Sequence, residues 1–331
     1  MACSSGMAHP HGMLTHTTVP GLTIVPPAQE SGKYETDNNM PKMHTVTLVV
    51  GKRNSGKTVA TVNLIEKMKY DYCIAVSPTL NSNKEIMERL NIEYVFEDPD
   101  DTTVIDSIKK IVEDEAKDLE RYKHQLKEYN NLMKNIRNGN VLDDNHLLTY
   151  FADNAFLKPQ HRWKGKKPRI AVLFDDMLGS MMYSKPRKLN SLSTYSRHLG
   201  QLTEGGSIGV SLFFLIQSFK CQVGGLNKVI RNQCTNMMLF KTKDEQEMAD
   251  IASSVSGEIS KEQFEDVYNY AMNDPDPYPF LFIDLHKKEC HPSMFRIRFD
   301  KFIILPPVDK MEVDSLLPIP TNSAIAVNTQ K

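Results

Sequence analysis

The stretch VTLVVGKRNSGKTVATVNLI, Val46 to Ile65, runs from apolar β-formers into Gly51-Lys52-Arg53-Asn54-Ser55-Gly56-Lys57-Thr58. It continues into a helical pattern carried by Val59, Val62, Leu64, Ile65 and, just beyond, Met68. A strand, a glycine turn and a helix in that order are what a phosphate-binding loop requires. The spacing G-x-x-x-x-G-K-[ST] lets the backbone curl with its N–H groups pointing inward, and the following helix adds the positive end of its dipole. Gly51 and Gly56 permit the curl, with Lys52, Arg53, Asn54 and Ser55 completing the loop. Lys57 reaches the β- and γ-phosphates of a nucleoside triphosphate, and the Thr58 hydroxyl takes one position on Mg2+.

Hydrolysis also needs carboxylates, and RIAVLFDDML supplies them: an apolar strand, Ile170 to Phe174, ending in Asp175 and Asp176. In doubly wound folds the C-terminal strand ends face the ligand crevice, so both side chains emerge beside the phosphates. Asp175 suits the outer shell of Mg2+ and Asp176 suits a general base, although either acid can contribute to both tasks. A third strand, VSLFFLIQS, places Gln217 directly after its apolar run, where an amide can donate to the γ-phosphate and accept from the attacking water. The transition state calls for a further cation, often from a second subunit. Arg231, in KVIRNQCTNMMLF, and Arg197, in YSRHLGQLTEGGSIGVSLFFLIQ, are both candidates, with a surface ion pair as the alternative for each.

At 331 residues and 40% hydrophobic content, the chain can bury one large α/β core with additions. Lys and Arg number 40 against 41 Asp and Glu, which excludes a uniformly basic clamp; contact with nucleic acid must come from a local patch or from residues gathered in an oligomer. Five scattered cysteines, Cys3, Cys73, Cys221, Cys234 and Cys290, fit free thiols in a reducing compartment. The longest apolar run, Leu212 to Ile216, has strand length, and the N-terminus lacks a charged segment leading into an apolar block. An intracellular protein with no membrane partner is expected.

Residues 1–43 and 306–331 mix Pro, Ser, Thr and small residues without periodicity and read as a disordered N-terminal arm and a flexible C-terminal tail around a folded domain, 44–305. Within that domain strands are expected at 45–50, 73–77, 93–96, 170–174, 210–216, 236–240, 280–284 and 295–299, several of them continuous apolar runs suited to a parallel sheet covered on both faces. A charged helical insertion at about 104–138 carries Leu119, Tyr122, Leu126, Tyr129, Met133 and Ile136 at alternating spacings of three and four, with Gly139 as its stop. That seam packs on its own domain or against a neighbouring subunit. His286, Cys290 and His291 have irregular spacing that suits a polar turn better than zinc, and His9, His11 and His16 are weaker still. TKDE at 242–245 ends in Glu, which argues against a guanine-reading motif.

Taken together, GKRNSGKT, VLFDD, SRH ahead of FFLIQSFK, VIRNQCTNMMLFKT and FLFIDLHKK followed by HPSMFR resemble the FtsK-HerA superfamily of P-loop ATPases. The likeness is greatest to the genome-packaging ATPases of large DNA viruses, virophages and polinton-like viruses. It covers about 45–305. The resemblance implies an ASCE/RecA-like P-loop NTPase fold, with a mostly parallel sheet in which the Asp-pair strand and the Gln217 strand flank the phosphate-loop strand. It also implies an ATP- and Mg2+-dependent motor, a hexameric or similar ring, that pumps double-stranded DNA without sequence preference into a preformed capsid. Capsid proteins are then possible partners, and the host cytoplasm, a viral assembly site or the virion the expected location. Family roles fall on Gly51, Gly56, Lys57 and Thr58 for phosphate and Mg2+, on Asp175 and Asp176 for metal and water, on Gln217 for sensing, and on Arg231 or Arg197 as the finger. Asp176 stands where the family commonly has Glu. Lys185, Arg187 and Lys188, in the loop after the Asp pair, are candidates to line a pore. A P-loop kinase lacks its expected Arg-rich lid here, and a non-motor ATP-dependent switch or assembly factor is the remaining alternative.

Overall fold

The computed structural model describes residues 36–80, 84–139, 148, 157–220, 225–242, 244–255, 259–275 and 277–305; most of the expected arm and all of the expected tail lie outside these. Six strands are parallel: β1 (Val46–Val50), β2 (Tyr72–Val76), β3 (Ile92–Phe96), β4 (Ile170–Phe174), β5 (Ser211–Ile216) and β6 (Asn236–Phe240). Three more, β7 (Phe280–Asp284), β8 (Phe295–Ile297) and β9 (Lys301–Phe302), extend the sheet antiparallel. The lateral order is β3-β2-β4-β5-β1-β6-β7-β8-β9. The helices are α1 (Lys57–Met68), α2 (Lys84–Arg89), α3 (Val104–Arg137), α4 (Met181–Ser184), α5 (Arg187–Tyr195), α6 (Lys228–Asn232), α7 (Glu245–Val255) and α8 (Lys261–Met272).

Strands β1, β2, β4, β5 and β6 are buried at every residue. Alternation of side chains across the sheet then sorts them into two cores. Val46, Leu48 and Val50 join Ile105, Ile108 and Val112 of α3 on one face, whereas Val49 joins Val62, Ile65 and Met68 of α1 on the other. Unbroken apolar runs are needed because both faces are covered. None of the helices among the described residues is long and apolar enough to cross a membrane.

All eight expected strands form, and three details differ from expectation. The last expected strand stops at Ile297 because Arg298 turns to φ +52, and the chain then returns as the short β9. The Asp-pair strand does not flank the phosphate-loop strand: β5 lies between β4 and β1, and the other neighbour of β1 is β6. The inner end of the expected arm belongs to the fold. The backbone carbonyls of Thr36 and Asp37 accept from Lys288 Nζ, that of Asn38 from His291 Nε2, and that of Asn39 from Arg296 Nη1. Met40 and Met43 pack against the core. His291 is thereby a buried structural group, and no cluster of three metal-ligating side chains occurs among the described residues. Cys73 and Cys234 are buried free thiols and Cys290 an exposed one.

The long insertion is helical over its expected length, with Gly139 just past its end at φ +68. Its first half is anchored to its own domain through Ile105, Ile108, Val112, Ala116 and Leu119. Farther along, Trp163 donates to Glu115 at 2.8 Å and His161 stacks on Tyr122. Of the named seam, Leu119 is buried, Tyr122, Leu126, Tyr129 and Met133 are half-buried, and Ile136 is exposed. Ile108→Ala should therefore cost about 2–5 kcal/mol in urea unfolding, and Ile136→Ala less than about 0.5 kcal/mol. Equal losses at the two positions would contradict this division of the helix.

Candidate active site

The parallel strands bring four loops to one rim of the sheet. At the end of β1, Gly51 keeps the pairing with β5 by donating to the Ile216 carbonyl at 3.1 Å. A Cβ at Gly51 would lie 2.7 Å from Phe240 Cβ and 2.8 Å from Ser55 Oγ, so only glycine fits against the tip of β6. The loop reverses through left-handed conformations at Asn54 (φ +61) and Gly56 (φ +93). Helix α1 then begins with neither a side-chain cap nor an acid in its first turn, which leaves the positive end of the helix uncompensated by any such group.

Lys57 curls back over the loop, donating from Nζ to the carbonyls of Gly51 and Lys52 at 2.5 and 2.9 Å. Burial lowers its pKa, opposed by the negative charges of Asp175 and Asp176, so the ammonium and the acid pair act on each other across the rim. Thr58 is half-buried in the first turn of α1, and Lys52, Arg53 and Asn54 face solvent. Ser55 Oγ is buried and has no hydrogen-bond partner. A buried hydroxyl without a partner inside a glycine cradle fits a loop built to take an anion.

Asp175 follows β4 directly, its N–H donating to the Val76 carbonyl of β2 at 3.1 Å. Its carboxyl is raised to about 6, first by burial and then by the charge of Asp176, with the Lys57 ammonium opposing the shift. A buried acid whose charge is opposed by a second acid is suited to a divalent cation. Asp176 is exposed and left-handed at φ +56, and it accepts from Thr79 Oγ1 at 3.4 Å. The contribution of Thr79, from the loop after β2, is not legible in the sequence, because nothing local ties it to a residue 97 positions away.

Gln217 is exposed at the first position beyond β5. Pairing of Val50 with Ile216 and of Phe174 with Phe214 sets Gln217 level with Gly51, and Asp176 one row lower. Since β5 lies between β1 and β4, the loop and the acid pair stand two strand spacings apart, about 10 Å. Gln217 follows the strand that separates them.

The two arginines part company. Arg231 donates from Nη1 to the carbonyls of Phe219 and Leu226 at 3.0 and 3.2 Å, and it sits over the Phe219 ring. It secures the chain that follows Gln217. Arg197 is exposed, donating from Nε to His198, and the neighbouring Ser196 carbonyl accepts from Val210 just before β5 begins. It therefore lies on the opposite rim from the loop of its own chain. Lys185, Arg187 and Lys188 are exposed between β4 and β5, with Lys188 paired to Asp106 at 2.6 Å.

The chain resembles a viral genome-packaging NTPase. The solved structure of the genome packaging NTPase B204 from Sulfolobus turreted icosahedral virus 2 in complex with AMPPCP aligns with 76% of this chain and 96% of that one, at 13% identity and a TM-score of 0.38. B204 described as the DNA-packaging ATPase from Sulfolobus turreted icosahedral virus aligns with 77% and 97%, at 15% identity and a TM-score of 0.39. The pCW3 conjugation coupling protein TcpA aligns with 82% of this chain and 64% of that one, at 16% and 0.35. No family model matches the chain, and neither does any curated relative. The likeness is distant, and the chemistry of the rim rests on its own residues.

Asp175 supplies a test by pH. With its pKa raised to about 6 from an ordinary 3.8, the folded protein binds the proton more tightly, and the stability this provides is lost as pH rises from about 4 to about 6. Asp175→Asn should raise the stability of the nucleotide-free protein at pH 8 by on the order of 1–2 kcal/mol, allowing for partial exposure, and leave it near wild type at pH 4. Thermal melts at the two pH values check this; a variant equally stable to wild type at pH 8 would refute the buried charge.

Proposed function

We propose that this chain is an ATPase of the FtsK-HerA kind, a motor that drives double-stranded DNA into a preformed viral capsid as an oligomeric ring, in keeping with a hexamer. The observation that carries the reading is the convergence on one rim of a glycine cradle with Lys57, the pair Asp175 and Asp176, and Gln217 on the strand between them. The loop N–H groups and the start of α1 receive the β-phosphate, and Lys57 exchanges its two loop carbonyls for β- and γ-phosphate oxygens. Thr58 and Asp175 would hold Mg2+, which when bound neutralises charge on the β- and γ-oxygens. Asp176, steadied by Thr79, orients the attacking water and accepts its proton. Gln217 touches both water and γ-phosphate and so reports which nucleotide is present.

Two features support a ring. Arg197, the exposed arginine, can reach a phosphate only in a neighbouring subunit, because it occupies the far rim of its own sheet. The near-neutral charge, 40 basic against 41 acidic residues, suits a grip on DNA by a few cations per subunit repeated around a pore. Lys185 and Arg187 are the exposed cations on the nucleotide rim suited to that lining, and sequence-independent backbone contact is the binding mode they allow.

ATP hydrolysis measured with and without duplex DNA tests the reading. Wild type should be stimulated by DNA, and Lys57→Ala and Asp176→Asn should each lose on the order of a hundredfold or more. Hydrolysis indifferent to DNA, with capsid filling retained in Asp176→Asn, would replace the motor by an ATP-dependent assembly switch. The two arginines are separable in the same assay. Arg197→Ala should bind nucleotide normally yet lose roughly a thousandfold in turnover, whereas Arg231→Ala should lower thermal stability by about 1–3 kcal/mol through the two released carbonyls. Full turnover in Arg197→Ala would remove it as the trans-acting finger.

A further inference from the structure

We propose that the cavity of about 1100 Å3 between α1 and the antiparallel edge of the sheet receives the base and ribose of the bound nucleotide, with the Tyr278 ring as the face on which the base stacks. The proposal deepens the ATPase reading and rests on it. Four observations carry it.

The first is direction. The acid pair and Gln217 lie to the β5 and β4 side of the loop, so the γ-phosphate end of a nucleotide points that way. Its other end must leave past Gly56 and the first turn of α1, and the cavity opens there, lined by Asn54, Gly56 and Val59 on one side and by Phe240, Phe280 and Phe299 on the other. The second is the chemistry of the walls. Phe240 and Phe280 pack with ring centroids 5.0 Å apart, and Phe299 meets Phe280 edge-on at 5.1 Å. These aromatic walls suit a flat heterocycle, and the volume slightly exceeds the usual range for small-molecule sites, about 300–1000 Å3.

The third is Tyr278 itself. A Cβ built on Gly56 would lie 3.3 Å from Tyr278 Cβ and 3.5 Å from its ring, so this side chain stands directly over the phosphate loop. It is nevertheless 66% exposed, and its backbone is left-handed at φ +57, an uncommon setting for a bulky residue. An aromatic ring held in a costly backbone conformation and left uncovered beside a ligand loop is a stacking surface waiting for its partner. Val59, also largely exposed in the first turn of α1, offers the opposite apolar face. The fourth is Arg296, on the cavity wall and 1% exposed, whose Nε is buried without a hydrogen-bond partner. Its Nη1 donates to the carbonyls of Asn39 and Phe299, so the guanidinium fixes the inner wall against which the ribose end would lie.

Calorimetric titration of the full chain with Mg·ADP and with magnesium pyrophosphate separates the base from the phosphates. Tyr278→Ala should weaken ADP roughly three- to tenfold while pyrophosphate stays within about twofold, and Tyr278→Phe, which keeps the ring, should retain the tighter ADP binding. ADP affinity unchanged in Tyr278→Ala, or an equal loss for both ligands, overturns the stacking assignment while leaving the phosphate site in place. If Lys57→Ala weakens neither ligand, the phosphate-site reading fails and the proposal falls with it.

Discussion

The constraint on which the rim depends is the contact of Gly51 with the tip of β6. Phe240 approaches so near that no Cβ can stand at position 51, and this closeness bends the chain out of β1 into the loop at the level where β5 ends. Everything at the rim depends on that bend. It fixes where α1 starts, hence where Lys57 leaves the backbone, and it places the cradle beside Gln217 because Gly51 still pairs with Ile216. The sheet below supplies the rigidity. Five strands buried at every residue cannot slip in register without carrying apolar side chains into the wrong core.

How much of this was legible in the sequence follows from what is local. The phosphate loop is a covalent spacing, and apolar runs report burial on both faces, so the strands, the loop and the long helix could be read directly. Lateral order is different in kind. Chain order says that the Asp-pair strand precedes the Gln217 strand, and nothing about which of them touches β1. The interposed β5 is what sets the loop and the acids two strand spacings apart. Long-range partners are invisible for the same reason. Thr79, Tyr278 and the grip of Lys288, His291 and Arg296 on residues 36–39 join segments separated by tens to hundreds of positions, and each depends on how the loops are laid over the sheet. Arg231 shows the converse: its place in the sequence suits a finger, but the available carbonyls of Phe219 and Leu226 determine what its guanidinium holds.

The chain just beyond Gln217 shows how the site is joined to the rest of the fold. Phe219 donates its N–H to the buried Glu247 carboxyl at 2.8 Å and accepts from Arg231 through its carbonyl at 3.0 Å. The second oxygen of Glu247 accepts from Thr242 Oγ1 at 2.9 Å, on the loop after β6. Hydrogen bonds to charged groups are among the stronger ones, and in a buried setting neither partner has water as a substitute. Two residues from the Gln217 amide, therefore, the backbone is held on both its donor and its acceptor, by α7 on one side and α6 on the other. On the proposed function, a displacement of the Gln217 backbone toward or away from a γ-phosphate would strain these bonds. It would then be passed to α6, α7 and the loop after β6 through the Arg231, Glu247 and Thr242 contacts. The pairing that sets Gln217 level with Gly51 would in that case also set where such a displacement is felt.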